Sequence, residues 1–127
     1  MTHNVFVYGT LKRGGRMHAH WLTKAEFVGR AELHGHVMLN FGPFPAITGP
    51  VPGGHVIHGE VFRVTAHELA GLDACEGHPR FYQRTMVTLA DGTRAWAYLN
   101  NEATEAFVAG DVNPKCIIES GVWPVGG

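Results

Sequence analysis

The apolar positions of this chain change their period several times, and each change marks a predicted element. Asn4 to Tyr8 is a short β-branched and aromatic run and reads as a buried strand. Arg16 to Lys24 carries Trp21 and Leu22 among helix-tolerant neighbours and predicts a short helix; Ala25 to Leu39 then alternates loosely, as one or two strands do. Phe41-Gly42-Pro43-Phe44-Pro45-Ala46-Ile47, followed by Pro50, Pro52, Gly53 and Gly54, is a breaker-rich connection. It carries Phe44 and Ile47, which are costly to leave in water, so it is expected to pack over the core. Gly59 to Val64 resumes alternation, with Phe62 and Val64 on one face.

Thr65-Ala66-His67-Glu68 matches a capping box, which predicts a helix from about Ala66. Leu69, Leu72 and Glu76 fall at i, i+3 and i+7 and share one face, and Gly77 followed by Pro79 stops the helix. Phe81 to Leu89 and Thr93 to Asn100 are two alternating strands joined across Ala90-Asp91-Gly92, a hairpin signal. Asn101 to Asn113 is a loop or short helix, and Cys116 to Trp123 fits no single element. No internal repeat, low-complexity tract or linker interrupts the pattern.

Composition narrows the function classes. A chain of 127 residues, 45% hydrophobic and 17% charged, suits one domain with a sizeable core. Ten Lys plus Arg against eleven Asp plus Glu give a net charge of −1, so the footprint of a nucleic-acid or anionic-membrane binder is missing and a small partner is expected. No apolar run has membrane-spanning length, and the N-terminus reads as a strand rather than a signal-peptide core. Two cysteines, Cys75 and Cys116, make no disulfide framework; reduced thiols and a cytoplasmic location are expected.

Two stretches carry candidate chemistry. After the first strand, Gly9 permits a left-handed backbone, and the N–H groups of Gly9, Thr10 and Leu11 could then converge on an anion or a carbonyl oxygen. Gly9 and Gly14 have the spacing of a phosphate loop, but Gly15-Arg16 stands where Lys and Ser/Thr are required, and no dinucleotide fingerprint is present. A plain strand ending in an unstructured glycine turn stays open. Glu76 is a carboxylate on an apolar helix face in the last turn, where desolvation and the negative end of the helix dipole both raise its pKa. That is what a general base near neutral pH needs, the alternative being rotation past the helix end into solvent.

Other groups are weaker. His18-x-His20, His34-x-His36 and His55-x-x-His58 invite a metal, since an i, i+2 pair on a strand points one way; no metal-binding motif accompanies them, and surface or satisfied polar roles are expected. Cys75 and His78 could form a nucleophile–base pair, but neighbours at a helix end do not face one another, which favours packing for Cys75. Lys12, Arg13 and Arg16 read as a solvated loop face, one of which could guide an anionic substrate.

Together these stretches resemble the γ-glutamylcyclotransferase superfamily, in its small AIG2-like and γ-glutamylamine cyclotransferase branch. Tyr8-Gly9-Thr10-Leu11 is similar to the family's Tyr-Gly-(Ser/Thr)-Leu signature. Leu72-Asp73-Ala74-Cys75-Glu76-Gly77, with Phe81-Tyr82-Gln83-Arg84 after it, is similar to its Leu-Asp-x-x-Glu-Gly segment and later Tyr-x-Arg, and Gly59-Glu60-Val61-Phe62 to its Gly-Glu-Val-aromatic strand. The resemblance covers nearly the whole chain. The chain departs from it in two places: Cys75 replaces a usually aromatic or bulky residue, and Gly15-Arg16-Met17-His18 replaces a polar Asn-His-like continuation. The tail from Ile118 to Trp123 is similar to that of uncharacterised bacterial relatives, some of which lack the catalytic glutamate that this chain keeps.

The resemblance implies an α+β fold with a mixed, barrel-like sheet and short flanking helices. It also implies a reaction without metal or cofactor on a small γ-glutamyl compound. Glu76 takes a proton from the α-ammonium group, the freed amine attacks its own γ-carbonyl, and 5-oxoproline and an amine or amino acid are released. In that scheme Tyr8, Gly9, Thr10 and Leu11 hold substrate oxygens, and Tyr82 and Arg84 line or brace the cavity. A non-catalytic module that binds a small carboxylate or amide in the same cavity is the alternative.

Overall fold

A computed structural model describes residues 2–124. Five strands form one mixed sheet: β1 (Thr2–Val7), β2 (Glu26–His36), β5 (His55–Thr65), β6 (Gln83–Thr88) and β7 (Arg94–Leu99), in the spatial order β2-β5-β1-β7-β6. The first strand is central, antiparallel to β5 with Val5 opposite Phe62, and parallel to β7 at Val5 and Trp96. Among the described residues three short α-helices accompany the sheet: α1 (His18–Trp21), α2 (Ala66–Glu76) and α3 (Asn101–Ala109). The fold is α+β, as the resemblance implies. The sheet is open rather than a closed barrel, because β2 and β6 are its two edges.

Burial explains why β1 reads as a continuous apolar run. Val5 and Val7 pack on one face with Phe62, Val64, Leu69 and Leu72, while Phe6 and Tyr8 pack on the other with Ile47, Ile57 and Ala97. A strand covered on both faces has no polar side to show. Helix α2 covers the first face through Leu69 and Leu72, both buried, each contributing about 1.5–3 kcal/mol by leaving water. The capping box forms as expected: Glu68 N–H donates to the Thr65 hydroxyl at 3.1 Å and Thr65 N–H to the Glu68 carboxylate at 2.8 Å. Gly77 ends the helix in the left-handed region at φ 67°.

Element boundaries differ from the sequence pattern at several points. The helix expected across Arg16 to Lys24 is a single turn whose Trp21 ring abuts Gly71 of α2. The breaker-rich connection is not all loop: β3 (Met38–Asn40) and β4 (Pro45–Ile47) pair antiparallel as a small second sheet, with Met38 opposite Ile47. Pro45 fits there because it opens its strand, where a missing N–H leaves no ladder bond unmade. Ile47 is fully buried and Phe44 packs on the core, as their cost in water demands. Leu89 N–H donates to the Thr93 carbonyl at 2.8 Å, closing the expected hairpin between β6 and β7. Among the described residues no helix is long and apolar enough to cross a membrane.

Candidate functional site

The end of β1 and the end of α2 meet at a cavity of about 320 Å³ lined by Tyr8, Gly9, Thr10, Leu11, Glu76 and Tyr82, among others. The loop that leaves β1 is folded on itself: Lys12 N–H donates to Gly9 O at 3.1 Å, Gly15 N–H to Lys12 O at 2.8 Å and Met17 N–H to Thr10 O at 3.0 Å. Among the described residues, the N–H groups of Gly9, Thr10 and Leu11 have no protein acceptor. Consecutive free donors beside a cavity are suited to an oxyanion or carboxylate. Gly9 is not in the left-handed region that the sequence suggested; Gly14 is, at φ 84°. Glycine is required at position 9 for space instead, since a Cβ there would stand 2.7 Å from Pro45 Cγ.

Glu76 is the last residue of α2, and its side chain faces this cavity instead of escaping past the helix end. Burial pushes its carboxyl pKa from 4.5 to about 7. All three tyrosines of the chain, Tyr8, Tyr82 and Tyr98, line the same cavity. Burial first, and the Glu76 carboxylate in addition, raise the pKa of each. They are therefore neutral near pH 7, and each spends its hydroxyl on structure. Tyr8 donates to the Tyr98 carbonyl at 2.7 Å, Tyr82 to the Pro45 carbonyl at 2.6 Å, and Tyr98 to Asp73 at 2.7 Å. The cavity thus holds one strongly perturbed acid in a frame of fixed, uncharged aromatics.

Arg84 does not line the cavity. Its guanidinium donates to Asp73 at 2.8 Å and lies 4.6 Å from the centre of the Trp96 ring, so it braces the carboxylate that holds Tyr98. The three loop cations also separate. Lys12 is buried, contrary to the solvated face expected, because its ammonium donates to the Trp123 carbonyl at 2.6 Å; burial lowers its pKa. Arg13 donates its N–H to Glu60 at 2.8 Å and lays its guanidinium 3.6 Å from the centre of the Phe27 ring. Arg16 alone of the three lines the cavity.

Residues 5–125 match the family model described as gamma-glutamyl cyclotransferase, AIG2-like. The chain belongs to that family. It is 33% identical over 119 residues to the gamma-glutamylcyclotransferase family protein ytfP of Citrobacter rodentium, covering 94% of this chain and 93% of that one. The crystal structure of a mouse aig2-like protein superimposes with a TM-score of 0.72 at 26% identity, over 91% of this chain and 82% of that one. The solution structure of ytfP from Escherichia coli gives 0.63 at 31%, over 94% and 95%.

Within this AIG2-like frame the remaining candidates resolve on geometry. The Cys75–His78 pairing does not form: burial and the neighbouring Glu76 raise the Cys75 thiol pKa, and His78 Nδ1 accepts the Arg84 N–H at 3.0 Å. The His34 and His36 side chains diverge because the register shifts between them at Gly35, φ 88°. His34 is exposed beside Glu32 at 3.3 Å, whereas His36 is buried with Nδ1 2.7 Å from the Thr48 carbonyl. No group of three or more His, Cys, Asp or Glu converges among the described residues. Sequence reasoning missed Tyr98, Phe44 and Phe81 as lining residues. Tyr98 had a signal in Asp73, a carboxylate one turn before Glu76 that needs a partner.

Proposed function

We propose that the protein is a γ-glutamyl cyclotransferase that closes the γ-glutamyl group of a small amide into 5-oxoproline and releases an amine or amino acid. The observation that carries this reading is a carboxylate with a pKa of about 7 sharing a cavity with the backbone N–H groups of Gly9, Thr10 and Leu11, which have no acceptor among the described residues. Ionised Glu76 takes one proton from the substrate's α-ammonium, and the freed nitrogen bonds to the γ-carbonyl carbon. Charge moves onto the carbonyl oxygen, where the N–H groups of the Gly9 to Leu11 loop stabilise it. Glu76 passes its proton to the amide nitrogen as the old carbon–nitrogen bond breaks, and then carries a second proton from the ring nitrogen to the departing amine. Of the three ammonium protons, one stays on the lactam nitrogen and two end on the departing amine, so Glu76 finishes ionised. A pKa near the working pH lets one group take and return the proton.

Because the nucleophile and electrophile belong to one substrate, positioning them supplies much of the rate enhancement, and a rigid aromatic cavity suits that task. Incubating the protein with γ-glutamyl amines and γ-glutamyl amino acids is expected to yield 5-oxoproline. Glu76→Gln keeps the cavity's shape and is expected to lower the rate at least a hundredfold, general acid–base groups contributing roughly 10²–10⁴. Near-normal turnover in that variant overturns the reading.

A further inference from the structure

The cavity lining holds two charged side chains, Glu76 and Arg16. In the mechanism above Glu76 is occupied by the reacting proton. Arg16 has no role there, and the other two cations of its loop are committed, Lys12 to the Trp123 carbonyl and Arg13 to Glu60. Arg16 is exposed and enters no ion pair among the described residues. An arginine at a small-molecule cavity is suited to a carboxylate, which it holds with two parallel N–H donors.

The second feature is aromatic. Phe44 and Phe81 both line the cavity, their ring centres 5.9 Å apart and close to perpendicular, and Phe41 closes the cluster at 6.0 and 6.3 Å from them. Phe81 is 45% exposed and Phe41 38%. Three clustered phenylalanines left partly in water offer an edge-to-face seat for a further ring. A cationic leaving group, such as a diamine, would instead meet Arg16 with no acid in the lining except Glu76.

We propose that the departing amine is an amino acid with an aromatic or large apolar side chain: its side chain seats on Phe44 and Phe81, and its carboxylate pairs with Arg16. This rests on the cyclotransferase reading and adds the substrate class to it. The test measures kcat/KM for 5-oxoproline release from γ-glutamylphenylalanine, γ-glutamylalanine, γ-glutamylphenethylamine and γ-glutamylputrescine. The first differs from the second by the ring, from the third by the carboxylate, and from the fourth by both and by charge.

Wild-type protein is expected to favour γ-glutamylphenylalanine by roughly tenfold or more over each of the others, since one aromatic contact or one ion pair is worth about that factor. Arg16→Gln is expected to shrink the phenylalanine-to-phenethylamine ratio towards one. Phe81→Ala does the same to the phenylalanine-to-alanine ratio, and Phe81→Leu restores part of it. Equal kcat/KM across the four compounds in wild-type protein overturns the proposal. So does an Arg16→Gln variant that loses all four by one factor, which would put Arg16 on the γ-glutamyl end. Release of 5-oxoproline from none of the four defeats the cyclotransferase reading instead. Calorimetric affinities of the four compounds then decide the seat separately, the same tenfold order supporting it and a flat order overturning it.

Discussion

Glu76→Gln is expected to make the protein more stable, by an amount that depends on pH. Burial raises the folded-state pKa of Glu76 from 4.5 to about 7, so the folded protein holds this proton more tightly than the unfolded chain does. Below pH 4.5 both states carry it and nothing is lost. Between 4.5 and 7 the unfolded chain ionises first, and stability falls by about 1.4 kcal/mol per pH unit. Above pH 7 the folded protein holds a half-buried carboxylate, at a total cost of roughly 3 kcal/mol. Glutamine has nearly the same shape and no charge to bury. The stability gain of the variant should therefore be near zero at pH 4.5 and reach roughly 3 kcal/mol by pH 8, which for a domain of this size is roughly 10 °C in Tm. Urea denaturation of both proteins at half-unit steps from pH 4.5 to 8 measures it. Other titrating groups, such as His36, act equally in both proteins and cancel in the difference. A gain that does not vary with pH, or a variant less stable than wild type at pH 8, refutes the half-buried, perturbed carboxylate.

The same pKa sets the rate profile. If ionised Glu76 is the base, kcat/KM for 5-oxoproline release rises with unit slope and levels off above about pH 7, with roughly a hundredfold loss at pH 5; an inflection near 4.5 would assign the base elsewhere. Gly9→Ala puts a Cβ 2.7 Å from Pro45 Cγ and is expected to cost about 1–3 kcal/mol while displacing the loop donors, so kcat falls as well as Tm. Thr65→Ala is its control, because loss of the capping box costs about 1 kcal/mol at the far end of α2 and should leave kcat/KM unchanged.

How much of this site was legible in the sequence depends on how local each signal is. Glu76 could be found because helical spacing puts it on the face of Leu69 and Leu72, and the capping box at Thr65 fixes the phase of that helix. What spacing cannot say is whether the helix end is covered. The cover comes from Tyr8, Tyr82 and Tyr98, which reach it from just past the end of β1, from just before β6 and from within β7. Gly9 was legible as a requirement and misread as to cause: a glycine after a strand signals a constraint, but only the fold shows that Pro45, from a distant segment, supplies it. Lys12 was misplaced for the same reason, since the carbonyl that makes burying its ammonium tolerable belongs to Trp123. The motif that travels with Glu76 leaves Arg84 either lining or bracing the cavity, and its bond to Asp73, three residues before Glu76 on α2, makes it a brace.

That last arrangement gives the Leu-Asp-x-x-Glu-Gly segment a physical division of labour. Asp73 and Glu76 are both carboxylates on one helix end, and they meet different partners. Asp73 is engaged by the Arg84 guanidinium and the Tyr98 hydroxyl. Glu76 is in no ion pair among the described residues, and burial raises its pKa to about 7. Exchanging the two roles would require moving Arg84 and Tyr98, which belong to different strands. The spacing of three residues therefore places an anchoring carboxylate one turn from a proton-carrying one. Tyr98 joins them, donating its hydroxyl to Asp73 while it lines the cavity that Glu76 enters.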